Sequence, residues 1–174
     1  TNLPGLPVLG TGEGGDADND ASIVLNQTSP RDFSFTTVIP DDVDFEFVTA
    51  NFQGNQSLTQ VILAATIANG KKLKVEVQDK DGRIADFFLV GTGAKQNYTL
   101  NLSGDNIPAG FLTGELARIV FAADKQNTGD QTIAIETKGL DFAPMVNGTA
   151  YNQANLTNLP GLPVLGTGEG GDAD

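Results

Sequence analysis

The chain of 174 residues has no cysteine, no histidine and no tryptophan. Without thiols there is no disulfide framework and no thiolate site for zinc or iron–sulfur. The missing disulfides do not argue for the cytosol, since many prokaryotic surface proteins do without them. Without imidazole the commonest general base is gone, and Ser22, Ser29, Ser34, Ser57 and Ser103 fall in loops and strands with no recognisable partner. Paired carboxylates could act on glycosides, but the acids are too scattered to single out a pair, so no enzymatic activity is expected. No apolar run approaches the roughly 18 residues that a membrane span needs. No signal peptide is visible and the chain starts at Thr1, which a processed or excerpted segment explains. Positive charge is scarce: 10 Lys and Arg stand against 22 Asp and Glu, a net charge of −12. Such a surface repels nucleic acid and anionic membranes, because phosphate binding needs Lys and Arg to displace counterions.

What is present is a duplication. TNLPGLPVLGTGEGGDAD occupies residues 1–18 and again, unchanged, residues 157–174. The period of 156 residues is too long for a solenoid unit and long enough for an independent core. The expectation is one unit of a tandem array carrying the start of its successor. Three of the 22 acidic residues (Glu169, Asp172, Asp174) belong to the second copy, so one period has 19 acidic against 10 basic residues and a net charge of −9. An artificial duplication is the remaining alternative, which the parent gene would decide.

Residues 1–21 are rich in Gly, Pro and Asp and show no periodicity; they are expected to be an inter-repeat linker. Residues 22–142 form the expected domain, and residues 143–174 a C-terminal segment and linker. Within the domain, short alternating runs rich in Val, Ile, Phe and Thr predict nine strands near residues 22–26, 33–39, 44–52, 59–68, 72–79, 83–90, 97–103, 116–124 and 131–142. Asn69-Gly70 and Asp81-Gly82 tolerate the positive φ of tight hairpins, which predicts a three-strand meander over residues 59–90. In KLKVEVQ, Leu73, Val75 and Val77 are expected inside, with Lys72, Lys74 and Glu76 in water. AGFLTGELA (109–117) suits at most one short turn. The fold class is all-β, an antiparallel two-sheet jelly-roll β-sandwich with extended Gly/Pro/Asp-rich linkers at both ends.

Over KKLKVEVQDKDGRIADFFLVGTGAKQNYTLNL and LARIVFAADKQNTGDQTIAIETKGLDF, the chain resembles the jelly roll of galactose-binding-like domains and many carbohydrate-binding modules. The likeness spans about residues 59–142. It lies in a strand, D-x-D-G, strand hairpin, a strand ending in L-x-L, and a closing strand with an acidic residue, Asp141. The resemblance implies a structural Ca²⁺ between the start of the domain and its last strand.

Asp16, Asp18 and Asp20 in GDADNDAS can converge on one side of an extended loop, as hard oxygen-loving cations require. Ala21 and Gln27 stand where a helix-loop-helix calcium loop needs Gly and Glu, so that motif is rejected. The resemblance adds Asp141 to the three aspartates as a Ca²⁺ ligand; a solvated acidic tether is the alternative. Asp79, Asp81 and Asp86 around Gly82 are read as a hairpin turn. GTGEGG at residues 10–15 fits G-x-G-x-x-G but lacks a preceding strand and a following helix, and is read as linker.

Six N-x-S/T sequons place glycans on Asn26, Asn55, Asn97, Asn101, Asn147 and Asn155, where chance gives roughly two. In NYTLNLS the alternation that buries Tyr98, Leu100 and Leu102 puts Asn97 and Asn101 in water. The repeated LPGLPVLG is apolar for a linker. Its Leu3, Pro4, Leu6, Pro7, Val8 and Leu9, and the second copy's Leu159, Pro160, Leu162, Pro163, Val164 and Leu165, are expected to dock a neighbouring unit, in a groove sooner than along a sheet edge because the prolines lack ladder donors. A loose hinge is the alternative.

These features favour a structural role: a glycosylated, Ca²⁺-stabilised repeat unit of an extracellular filament, sheath or long cell-surface adhesin, whose partners are identical neighbouring units. The competing function is a carbohydrate-binding module of a modular secreted or surface protein, binding glycans. Against it, tryptophan is absent and most of the ten Phe sit in core phase.

Overall fold

The computed structural model describes residues 23–41, 45–145, 147–149 and 167–170. They form eleven strands and no helix: β1 Val24–Ser29, β2 Asp32–Thr37, β3 Phe45–Gln56, β4 Gln60–Thr66, β5 Lys72–Asp79, β6 Ile84–Val90, β7 Lys95–Asn101, β8 Leu116–Ala123, β9 Gln131–Thr137, β10 Gly148–Thr149 and β11 Thr167–Gly170. The nine strands expected between residues 22 and 142 are all present, each displaced by a few residues at most. Sheet A has the order β10-β1-β2-β9-β4-β7 and sheet B the order β11-β3-β8-β5-β6. All pairs are antiparallel. The eight strands β2 to β9 make two four-stranded sheets, and every consecutive pair except β5–β6 lies in opposite sheets. That is the jelly-roll order, with β1 and β10 added beside β2, and β11 beside β3.

Alternation builds the core. Phe33 and Phe35 from β2, Val48, Ala50 and Phe52 from β3, Leu73, Val75 and Val77 from β5, and Ile119 and Phe121 from β8 all point between the sheets and are buried. Phe33 meets Phe121 and Phe142 edge-on at centroid distances of 5.3 and 5.5 Å, and Phe142 stacks on Phe52 at 5.8 Å. Such pairs add about 0.5–1.5 kcal/mol each beyond the apolar area they bury.

The expected meander does not form. β5 and β6 make the hairpin at Asp81-Gly82, but β4 pairs with β7 and β9 in sheet A. Asn69-Gly70 supplies a turn with positive φ (75° at Gly70), as the dipeptide suggests. The turn carries the chain from one sheet to the other, because the β6–β7 crossover meets it at the same corner. There Gly70 N–H donates to Gly91 O (3.0 Å), Gly91 N–H to Lys71 O (2.7 Å) and Gly93 N–H to Ile67 O (2.9 Å). Dipeptide chemistry fixes the bend and not the partner of the outgoing strand.

Candidate functional site

The outer edge of β3 is filled at two places. At its start β11 pairs with Thr167 opposite Val48, Gly168 opposite Phe47, Glu169 opposite Glu46 and Gly170 opposite Phe45. Phe45 and Phe47 share one face of the strand with ring centroids 6.3 Å apart. Directly opposite each stands a glycine, Gly170 and Gly168. Further along, Phe52 bridges to Phe142, Gln53 N–H donates to Asp141 O (2.9 Å) and Ala143 N–H donates to Asn51 O (2.7 Å). β11 is TGEG from the second copy of the repeated segment; the first copy holds the same four residues at positions 11–14.

The outer face of sheet B departs from the one-dry, one-wet expectation. Register places Phe47, Ala122 and Lys74 in one row, Thr49, Val120 and Glu76 in the next, and Asn51, Arg118 and Gln78 in a third. Phe47, Thr49, Glu76, Gln78, Val120 and Ala122 are each no more than 2% exposed, yet none belongs to the core between the sheets. Glu76 was expected in water; it is buried, in one row with the buried Thr49 and Val120. One strand further, on β6, the same face is open, with Phe88 64% exposed.

Burial dominates the electrostatics here. It pushes the Glu76 carboxyl up to about 7, against the pull of the Lys74 ammonium 2.7 Å away. Burial also lowers the Arg118 guanidinium from its usual value. Arg118 Nη1 reaches Gln78 Oε1 at 3.4 Å. Among the described residues, Thr49 Oγ1, Asn51 Oδ1, Glu76 Oε2, Gln78 Nε2 and Arg118 Nε are buried without a hydrogen-bond partner. All five lie in the second and third rows of this face.

Two depressions lie elsewhere. On sheet B, Phe88 borders one with Lys72, Lys74, Asp124 and Asn127; Asp124 is engaged by the Asn127 side chain at 2.7 Å. On sheet A a shallow trough runs over Ala64 and Ala134 between Asp32, Thr66, Lys95 and Glu136. Glu136 accepts from Lys138 at 2.7 Å and from Lys95, and these two ammonium groups, Lys138 foremost, hold its carboxyl down to about 2.

Among the sequon residues, Asn26, Asn55, Asn97, Asn101 and Asn147 are exposed. Leu100 and Leu102 are buried and Tyr98 half-buried, so the alternation expected in NYTLNLS holds. Asn101 Oδ1 accepts from Ser103 N–H (3.0 Å) and Oγ–H (2.6 Å). Asn147 is tied to β1, accepting from Gln27 N–H at 2.7 Å and donating to Gln27 O at 3.3 Å. Asp141 pairs with Arg31 Nε at 2.8 Å. Asp16, Asp18, Asp20, Asn155 and the twelve docking residues lie outside the described residues, among which no group of three or more acidic side chains is placed to hold a metal.

Asp79 organises a turn, as expected. Its Oδ1 accepts from Asp81 and Arg83 N–H (2.9 and 3.0 Å), and its Oδ2 from Leu112 N–H (3.0 Å) and Arg83 Nη1 (3.3 Å). Burial pushes this carboxyl up, but the donors outweigh it and leave the group below its usual value.

The fold defines the protein as a jelly-roll sandwich whose sheet B edge is completed by the duplicated segment. No family model matches the chain, and no curated protein matches it either. Among solved structures it is similar to an exo-β-agarase (10% identity, TM-score 0.47, 67% of this chain and 21% of that one). It is similar also to the agarase AgWH50C (11%, TM-score 0.49, 72% and 22%) and to PfGH50B (11%, TM-score 0.47, 77% and 24%). This chain thus spans about a quarter of those chains or less. Likeness at that level carries no inference about ligand or activity.

Proposed function

We propose that this sandwich is a non-catalytic structural unit of an extracellular filament, sheath or adhesin, in which each seam supplies the closing strand of the body before it. The supporting observation is β11: four residues of the duplicated segment sit in register on the β3 edge. In an array every seam has that sequence and every body offers that edge, so every junction repeats one heterologous contact and the chain of bodies propagates. Exposed sequon asparagines suit a glycan-covered surface. Asp16, Asp18 and Asp20 remain the proposed Ca²⁺ ligands, and Asp141 joins them only by leaving Arg31. The test is a chain of two consecutive units studied by small-angle scattering. A seam anchored as a strand leaves only the stretch matching residues 15–21 between bodies and gives a narrow range of inter-body distances; a distribution as broad as a wholly free linker gives, as for beads on a string, overturns the proposal.

Phe88 supports a second reading, a carbohydrate-binding module. An exposed phenyl ring beside Lys72, Asp124 and Asn127 offers a stacking surface with hydrogen-bonding groups at its rim. Glycan-array binding that disappears in Phe88→Ala supports this reading, and an array without hits removes it.

A further inference from the structure

We propose that residues 159–165, LPGLPVL, dock across the outer face of sheet B, so that this face and the β3 edge form one receptor for the repeated segment. The inference rests on the seam strand of the structural reading and names the surface the seam recognises.

Delivery comes first. β11 is antiparallel to β3, and Thr167 stands opposite Val48. The chain therefore arrives at β11 from the Thr49 side, and residue 165 is two positions from the strand. Length is sufficient. β10 ends at Thr149 and β11 begins at Thr167, and the edges that carry them are held together by the segment after β9. There Ala143 N–H donates to Asn51 O in β3 at 2.7 Å, while Gln27 Nε2 in β1 donates to Ala143 O at 3.2 Å. Packed sheets are about 10 Å apart, whereas the seventeen intervening residues can reach roughly 55 Å. That slack is enough to cross β3, β8 and β5 and return.

Chemistry selects the occupant. Phe47, Val120 and Ala122 call for apolar side chains, which Leu159, Leu162, Val164 and Leu165 supply. The five unpartnered polar atoms call for a backbone. An extended proline-containing segment makes no internal hydrogen bonds, so its carbonyls are free for Gln78 Nε2 and Arg118 Nε. Its remaining N–H groups, at Leu159, Gly161, Leu162, Val164 and Leu165, are free for Asn51 Oδ1 and Glu76 Oε2. A hydrocarbon would leave all five atoms unsatisfied, and an acidic peptide would meet buried Glu76.

The full chain has no native thiol, so introduced cysteines report cleanly. Val120→Cys is combined in turn with Leu162→Cys and Val164→Cys and treated with a short bifunctional thiol reagent. Docking predicts a cross-link within one chain for at least one pair, lost in urea. No cross-link in the folded chain overturns the proposal. So does a product joining two chains, which would give the face to a second copy. A parallel measurement needs no pairing. Alkylation of Val120→Cys alone is expected to be slow, and Leu162→Asp with Val164→Asp is expected to speed it about tenfold or more by opening the face; unchanged rates overturn the docking. A cross-linked face in a flexibly jointed two-unit chain would count against the array alone, and a fixed two-unit spacing with an unprotected face against the docking alone.

Discussion

At the scale of single residues, Glu76 sets a pH dependence that runs against the usual acid denaturation. Its carboxyl is pushed up to about 7 in the folded state from an ordinary value of 4.5. Below pH 4.5 both states hold the proton, and this group contributes no difference. Between 4.5 and 7 the unfolded chain has released a proton that the folded chain keeps, so stability from this group falls as pH rises, and the loss is complete above 7. The full effect is at most about 3 kcal/mol, the free-energy equivalent of the shift. Glu76→Gln is therefore expected to flatten the decline in unfolding free energy between pH 5 and pH 8, measured by urea titration; an unaltered slope would mean that Glu76 is ionised and solvated. Gly91 makes a steric prediction of the same kind. A Cβ there would lie 2.2 Å from Ala68 O, backbone against backbone at the corner where two crossovers meet, whereas at Gly82 it would meet nothing and only the φ of 83° is strained. Gly91→Ala should cost about 2–4 kcal/mol and Gly82→Ala about 1 kcal/mol. Equal losses in thermal melts would contradict the packing at that corner.

At the scale of elements, β11 can be removed without touching the body. Gly168→Pro with Glu169→Pro eliminates two consecutive N–H groups, of which alternation points one at β3, and adds bulk opposite Phe47. The pair should lower unfolding free energy by about 1–2 kcal/mol in urea titration, while Gly12→Pro with Glu13→Pro in the identical first copy should leave it unchanged. Equal effects would show that the two copies share the edge. The nine body strands were legible because alternation and turn residues are local signals. KLKVEVQ announced Leu73, Val75 and Val77 as core, and NYTLNLS announced its exposed asparagines. The meander was not legible: Asn69-Gly70 describes a bend and does not say which sheet the next strand joins, and the close approach of Gly91 to Ala68 at that corner joins residues too far apart in sequence to be read from a dipeptide. The dry outer face left a trace that alternation alone discards. VDFEFVTANF and LARIVFAAD put apolar residues on both alternating faces (Phe45, Phe47, Val48, Ala50 and Phe52; Ile119, Val120, Phe121 and Ala122), the pattern of strands covered on both sides. β11 carried no strand signal, since TGEG has no apolar alternation and two of its four residues are glycine.

At the scale of the whole molecule, two forces act on the spacing of successive bodies, and salt separates them. Each period carries a net charge of −9, so neighbouring bodies repel over a Debye length of about 30 Å at 0.01 M salt and about 8 Å at 0.15 M. A flexible tether would answer to that repulsion, extending at low salt and contracting as the charges are screened. A junction in which four residues of the tether are a strand of the preceding sheet has less of that freedom, because the β11–β3 ladder anchors them and leaves only the stretch matching residues 15–21 to extend or contract. Within one body the same repulsion persists, since the ion pairs across the surface, such as Lys80–Glu115 at 3.0 Å and Arg31–Asp141 at 2.8 Å, are exposed and offset little of it. Raising sodium chloride from 0.01 to 0.15 M should therefore raise the melting midpoint of a two-unit chain while its inter-body distance in small-angle scattering changes by no more than the span of those seven residues, about 25 Å fully extended. A distance that shrinks by more than that would place the spacing under charge control and remove the seam strand from the mechanism, even if β11 still closed the edge of an isolated unit.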